Sequence, residues 1–216
     1  TGADCIFIAA DVLNEKELIA AREKILRLYQ KIDGLVNAAG GNIPQGIHQP
    51  DMDIFSINLD GMKKAMDLNL WGTLIPTQIF GAVMGKQGFG SIVNISSVNS
   101  KRAVTKVLGY NMGKAAVDCY TKWLAIELAN RYGDKIRVNA IMPGFFLTEQ
   151  NRALLTNEDG SLTARGASIM AHSPFKRFGR PEELKGALIY LLSEASAFVT
   201  GMQVGVDGGF TEFSGV

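Results

Sequence analysis

The stretch Ser91-Ile-Val-Asn-Ile-Ser-Ser97 indicates the fold class. A short apolar run that contains β-branched residues is typical of a strand buried on both faces, and parallel sheets are built from such strands. The run ends in small polar residues, and apolar residues at helical spacing follow from Tyr110 onward. A buried strand followed by a helix is the repeating unit of an α/β fold with a parallel sheet.

The same alternation of strands and helices extends along the chain, so the sequence predicts one α/β domain over residues 1–216, with helices on both faces of a parallel sheet. The predicted strands are Cys5–Ala10, Gly34–Ala39, Ser91–Ile95, Arg137–Ile141 and Met202–Val206. The predicted helices are Asn14–Tyr29 with Asn14 as its N-cap, Met62–Met84 with a bend or interruption at Pro76, Tyr110–Tyr132, and Pro181–Leu192.

Composition excludes several classes of partner. The 216 residues carry a net charge of +1, which argues against nucleic acid or an anionic membrane as the main partner. No apolar stretch approaches the roughly 20 residues of a membrane-spanning helix. Cys5 and Cys119 lie far apart in the sequence, so they suggest neither a disulfide framework nor a zinc site. We expect two small buried side chains in a reducing compartment, and no metal site.

Four of the five predicted strands end in small or polar residues, at the edge where sheets of this type bind their ligands. The four ends are Asp11-Val12, Asn37-Ala-Ala-Gly-Gly41, Asn94-Ile-Ser-Ser97 and Asn139-Ala-Ile-Met-Pro-Gly144. Small residues allow the backbone to approach a flat ligand closely, although the Ala38–Gly40 run alone is equally typical of a turn. The agreement of all four ends favours a ligand site.

Tyr110 and Lys114 form the most informative pair. Their spacing of four places them on one face of the same helix. An ammonium group beside a phenol favours the phenolate, so we expect the pKa of Tyr110 to fall below its usual value of about 10. A tyrosine of this kind can exchange a proton with an alcohol oxygen, and Ser97 can donate a hydrogen bond to the same oxygen.

These motifs, in this order, resemble the short-chain dehydrogenase/reductase family over nearly the whole chain. The resemblance implies a Rossmann-like, doubly wound sheet in three αβα layers and a nicotinamide cofactor, NAD or NADP. It implies that Tyr110 is the general acid/base, that Ser97 (with Ser96 as the weaker alternative) holds the substrate oxygen, and that Asn69 supports a proton relay through Lys114. The implied cofactor-binding residues are Asp11, Val12, Asn37, Ala38, Gly40, Tyr110, Lys114, Pro143, Gly144 and Thr148.

One family motif is not found in the sequence. The T-G-x-x-x-G-x-G turn that should follow the first strand is absent, and Asp11-Val12 matches the end of the family's third strand. We therefore expect the chain to lack the first β-α-β unit, with its pyrophosphate turn and the residue that selects NAD or NADP. A non-catalytic nucleotide-binding protein is the competing interpretation. A Ser–Lys hydrolase has little support, because no G-x-S-x-G motif is present.

A closer resemblance suggests the substrate. Residues 67–78 and 143–155 are similar to the sugar-acid branch of the family, the D-mannonate oxidoreductase or fructuronate reductase-like proteins. A gluconate 5-dehydrogenase-like enzyme or another carbonyl reductase is the alternative. Candidate substrate residues on the flanking loops are Asn99, Lys106, Gln150 and Arg152, and residues 145–178 form a candidate lid. The resemblance further implies a cytoplasmic homodimer or homotetramer.

Overall fold

The computed structural model describes residues 2, 4–148 and 151–215, and it contains a parallel sheet of four strands. The strands are β1 (Gly34–Asn37), β2 (Gly90–Ile95), β3 (Ile136–Pro143) and β4 (Gln203–Val206). They lie side by side in sequence order, and every neighbouring pair is parallel. Four of the five predicted strands are therefore confirmed, and their carboxyl ends share one edge of the sheet.

The helices are α1 (Glu15–Tyr29), α2 (Leu59–Gln87), α3 (Leu108–Tyr132), α4 (Arg152–Leu155), α5 (Ala164–His172) and α6 (Lys185–Leu192). Asn14 caps α1, as predicted, because its side chain accepts from the amides of Lys16 and Glu17. The predicted interruption at Pro76 is wrong, since α2 continues through this residue. Residues on both sides of the proline, Thr73 and Phe80 among them, are buried. Their packing offsets the loss of the backbone hydrogen bond that a proline cannot donate.

The sheet separates two hydrophobic cores, which confirms the three-layer αβα architecture. Successive side chains of β2 point to opposite faces, so Ile92 belongs to one core and Val93 to the other. α1, α2 and α3 cover the first face, whereas α6 covers the second with its fully buried Leu191. No helix of the described chain is long and apolar enough to cross a membrane.

The expectation that Cys5–Ala10 forms a strand is wrong for this structure. Ile8 and Ala10 pack against the first core, but no other described strand pairs with this segment, and Phe7 is 87% exposed. Both cysteines are also exposed, contrary to expectation. Cys5 lies in this unpaired segment, and Cys119 lies on the outer side of α3, turned away from the buried face that contains Val117.

The connection from β3 to β4 contains the candidate lid, residues 145–178. It leaves β3 at the carboxyl edge and carries α4, α5 and then α6. Phe146 pairs with Gly179, so the two ends of the candidate lid meet beside the carboxyl end of β3. Whether the segment opens and closes over a ligand stays a prediction.

Candidate active site

The structure brings Ser97, Tyr110 and Lys114 together at the carboxyl edge of the sheet. Ser97 follows β2 and caps a short 3₁₀ helix by accepting from the amide of Asn99 at 3.2 Å. Tyr110 and Lys114 lie in the first two turns of α3, and the Ser97 side chain lies close to the Tyr110 phenol. The Lys114 ammonium donates to the carbonyl oxygen of Ile95 at 2.7 Å and lies 5.7 Å from the centre of the Tyr110 ring.

Burial controls the protonation of both side chains. It raises the pKa of Tyr110, and the Ser97 side chain opposes this rise. The expected fall in the Tyr110 pKa is therefore wrong for the protein alone, because loss of hydration of the phenolate outweighs the stabilisation from its neighbours. Burial lowers the pKa of Lys114 to about 8, and the negative charge of Asp118 acts in the opposite direction.

Asn69 holds the loop after β1 against these residues. Its side chain is fully buried, donates to the carbonyl of Gly41 at 2.8 Å and accepts from the Gly41 amide at 3.1 Å. A Cβ atom on Gly40 would lie 2.7 Å from the Asn69 amide oxygen and 3.2 Å from the Lys114 nitrogen. Gly40 also has a φ of +151°, so a glycine is required here for both reasons.

Two glycines allow α3 to approach α2 closely. A Cβ atom on Gly109 would lie 2.4 Å from the carbonyl oxygen of Met62, and one on Gly113 would lie 2.9 Å from the Cβ of Asn69. These glycines flank Tyr110 and precede Lys114. The close crossing of the two helices therefore determines where both side chains lie relative to Asn69.

The residues expected to contact the adenosine half of a cofactor lie on neighbouring loops. Asp11 is exposed and Val12 packs against α2, where a Cβ on Gly72 would lie 3.1 Å from the Val12 side chain. Ala38 is exposed at the end of β1. The buried Asn37 side-chain nitrogen donates to Thr77 and Asn94, both at 2.8 Å, so both of its donors are used within the protein.

The predicted nicotinamide-binding residues follow β3. Gly144 donates its amide to Val206, and a Cβ at this glycine would lie 2.7 Å from the Cα of Asp207. Thr148 accepts the backbone amide of Arg152 at 2.9 Å, at the start of α4. Pro143 is the last residue of β3, so all three positions lie on one continuous loop beside the sheet edge.

The site suits a nicotinamide cofactor. The exposed small residues after β1 leave space for a flat ring system. Gly40, with its positive φ, places the backbone of this loop next to the Lys114 ammonium. Lys114 can donate to a ribose hydroxyl in addition to the Ile95 carbonyl, because an ammonium has three donors. No cluster of His, Cys, Asp and Glu suited to a metal ion occurs among the residues that the structure describes.

The four substrate candidates differ in their positions. Asn99 is half-buried beside Ser97 and donates to Asn111 at 2.7 Å. Lys106 is half-buried, four residues before Tyr110, and its φ of +74° is unusual for a lysine. Arg152 is exposed at the start of α4. Gln150 lies outside the described residues.

Asp118, which lies four residues after Lys114, was not predicted from the sequence. Only 4% of this residue is exposed, and its carboxylate forms an ion pair with Lys101 at 3.5 Å. A single acidic residue between Val117 and Thr121, on an otherwise buried helix face, was the signal in the sequence. Asn94, expected only as part of a strand end, donates to Thr121 at 2.9 Å and so connects β2 to α3.

The chain is similar to known oxidoreductases. A family model described as enoyl-(acyl carrier protein) reductase matches residues 1–211. The chain is 40% identical over 224 residues to the uncharacterized oxidoreductase UxuB of Bacillus subtilis, covering all of this chain and 80% of that protein.

Two solved structures are also similar. One is a provisionally named D-mannonate oxidoreductase from Haemophilus influenza with bound NAD, at 40% identity and a TM-score of 0.86, covering 96% of this chain and 77% of the other. The second is a gluconate 5-dehydrogenase from Burkholderia cenocepacia in complex with NADP and tartrate, at 34% identity and a TM-score of 0.78, covering 94% and 74%.

Proposed function

We propose that this chain, which belongs to the short-chain dehydrogenase/reductase family and is an NAD(P)-dependent oxidoreductase, acts on a sugar acid. The reaction would interconvert a secondary hydroxyl group and a ketone. The observation that carries the proposal is the convergence of Ser97, Tyr110 and Lys114 at one point of the sheet edge.

We assign the proton transfer to Tyr110. In the oxidation direction, its phenolate accepts the hydroxyl proton of the substrate while Ser97 donates a hydrogen bond to the same oxygen. The Lys114 ammonium, 5.7 Å from the Tyr110 ring, stabilises the phenolate by charge. In the reduction direction, the neutral phenol returns the proton.

A bound nicotinamide would supply the hydride acceptor or donor, and the protein supplies position and charge. We propose that Lys114 and the backbone near Gly40 hold its ribose, and that the loop containing Gly144 and Thr148 holds the nicotinamide end. Asp11, Val12, Asn37 and Ala38 would border the adenosine. The cofactor would be NAD or NADP, the two forms present in the similar structures.

The sugar-acid assignment rests on the candidate substrate residues and on the named neighbours. Lys106 is a cation in the loop before α3 and Arg152 is a cation at the start of α4, and a substrate carboxylate needs such a partner. Asn99 and Gln150 are amides suited to substrate hydroxyls. The solved neighbours include proteins named for mannonate and gluconate, and one of them contains tartrate, a hydroxy acid.

A substrate panel tests this assignment. We expect the full-length protein to oxidise D-mannonate or D-gluconate with a higher kcat/KM than the neutral polyol D-mannitol. Lys106→Met should reduce kcat/KM for the acids by about tenfold or more and leave mannitol oxidation nearly unchanged, because only the acids lose a charged partner. Lys122→Met, an exposed lysine on α3, is the matched control. Equal loss with acids and mannitol would contradict a role of Lys106 in carboxylate binding.

If D-mannitol is the best substrate in this panel, a different branch of the family is the better assignment, such as a general carbonyl reductase. From the family resemblance we also propose a cytoplasmic location and assembly as a homodimer or homotetramer. Size-exclusion chromatography with light scattering measures the second property directly.

A further inference from the structure

Asp118 is a buried acidic residue for which the proposed reaction has no role. Only 6% of its side chain is exposed, and neither carboxylate oxygen accepts a hydrogen bond from the described part of the chain. Burial of a carboxylate without hydrogen bonds is unfavourable, so such a group requires a compensating charge. Its ion-pair partner is the Lys101 ammonium, 3.5 Å away.

The position of Asp118 connects two parts of the active site. Lys101 follows directly after the 3₁₀ helix that Ser97 caps, whereas Asp118 lies one helical turn after Lys114 on α3. Residues four apart on a helix lie about 5–6 Å from each other, measured between Cβ atoms. The carboxylate is therefore paired with Lys101 beside the Ser97 loop and belongs to the turn of α3 that follows Lys114.

The other groups around Lys114 carry no negative charge in the resting protein. Tyr110 on α3 is a neutral phenol, and the contacts from β2, α2 and the loop after β1 are the Ile95 carbonyl, the Asn69 amide and Gly40. Among the described residues, Asp118 is the one charged group that acts appreciably on the Lys114 ammonium.

We propose that Asp118 is a positioning residue that keeps Lys114 protonated, and that Lys101 moderates this effect by sharing the same carboxylate. The proposal rests on the role of Lys114 given under the proposed function, and it adds a residue that contacts neither substrate nor cofactor. Without the carboxylate, the buried ammonium would lose its proton at lower pH and would cease to stabilise the Tyr110 phenolate.

The first test measures Lys114 directly and needs no cofactor or substrate. The full-length protein is labelled with ¹³C at the lysine ε-carbon, and the Lys114 signal is assigned by its loss in Lys114→Met. Asp118→Asn, which keeps the side-chain shape, should lower the pKa of Lys114 from about 8 by about one pH unit. Asp118→Glu should keep the pKa close to that of the wild type.

Lys101→Met should shift the pKa of Lys114 in the opposite direction. Removing this cation leaves the carboxylate to Lys114 alone, so the pKa of Lys114 should rise. If Asp118 served only to anchor the Ser97 loop, Asp118→Asn and Lys101→Met would disturb the site in the same way. An unchanged Lys114 pKa in Asp118→Asn, or a shift of the same sign in both variants, would overturn the proposal.

The second test is the pH dependence of kcat/KM for alcohol oxidation. Near pH 8 the protonated fraction of Lys114 should fall from about one half to about one tenth in Asp118→Asn, so the rate should fall about fivefold. Near pH 6 the two rates should agree. Inactivity of all proteins, wild type included, would contradict the proposed function, whereas the titration of Lys114 would still decide the role of Asp118.

Discussion

Lys114→Met should change how the stability of the protein depends on pH. The folded protein holds the Lys114 ammonium in a buried site, where its pKa falls from the usual 10.5 to about 8. The unfolded chain keeps the usual value. Between pH 8 and 10.5 the unfolded state therefore binds more protons than the folded state, so the stability contributed by this group rises with pH across that window.

The size of this effect follows from the two pKa values. At about 1.4 kcal/mol per pH unit, the charged Lys114 costs the folded state about 3 kcal/mol near pH 7. By about pH 9.5 the wild type should recover about 2 kcal/mol of this cost. Lys114→Met removes the titrating group, so its free energy of unfolding should not show this rise between neutral and alkaline pH. Lys114→Met also loses the hydrogen bond from the ammonium to the Ile95 carbonyl. This loss is the same at each pH below 8, where it partly offsets the stability that the variant gains by removing the buried charge.

Urea unfolding followed by circular dichroism, from about pH 7 to about pH 9.5, measures the difference between variant and wild type. We expect the advantage of Lys114→Met over the wild type to shrink by about 2 kcal/mol across this range. Lys122→Met, at an exposed position of the same helix, should differ from the wild type by a constant amount. A constant difference for Lys114→Met as well would refute the conclusion that burial destabilises the charged lysine.

Two further predictions concern packing. Gly109→Ala places a Cβ 2.4 Å from the Met62 carbonyl oxygen. It should destabilise the protein by about 1–3 kcal/mol and reduce kcat about tenfold or more by moving Tyr110. Gly186→Ala, which has open space around it, should change neither the stability nor kcat in parallel urea and activity measurements. Arg137→Met removes a buried guanidinium that donates to the Ser196 hydroxyl and to backbone carbonyls including those of Leu191 and Ser193. Thermal unfolding should therefore show a loss of stability of about 2–4 kcal/mol, against less than about 0.5 kcal/mol for the exposed Arg131→Met. A loss below about 1 kcal/mol for Arg137→Met would contradict this role.

Local patterns predicted most of the fold. The apolar runs of β1 to β4 and the helical spacing of α1, α2 and α3 depend on short stretches of sequence, and the structure agrees with them to within a few residues. Cys5–Ala10 has the same apolar pattern but forms no ladder in the structure. A strand exists only if another strand pairs with it, and the pattern within one segment carries no information about its partner.

The candidate site was predictable where spacing along one helix or one strand end determines it. Tyr110 and Lys114 are neighbours because they are four residues apart, and Ser97 meets them at the sheet edge. The direction of the shift in the Tyr110 pKa was not predictable, because it depends on how much water the folded chain excludes from the phenol. Asp118 was missed for the same reason, since its significance comes from burial and from Lys101.

The central claim is that Tyr110 exchanges the proton during hydride transfer, and Tyr110→Phe in the full-length protein tests it most directly. The formation of reduced nicotinamide is followed by absorbance with D-mannonate, and its consumption with D-fructuronate. Removing the hydroxyl group while keeping the ring should lower kcat by about 10²–10⁴-fold, the usual contribution of a general acid/base. Turnover within a few-fold of the wild type would contradict the assignment of Tyr110.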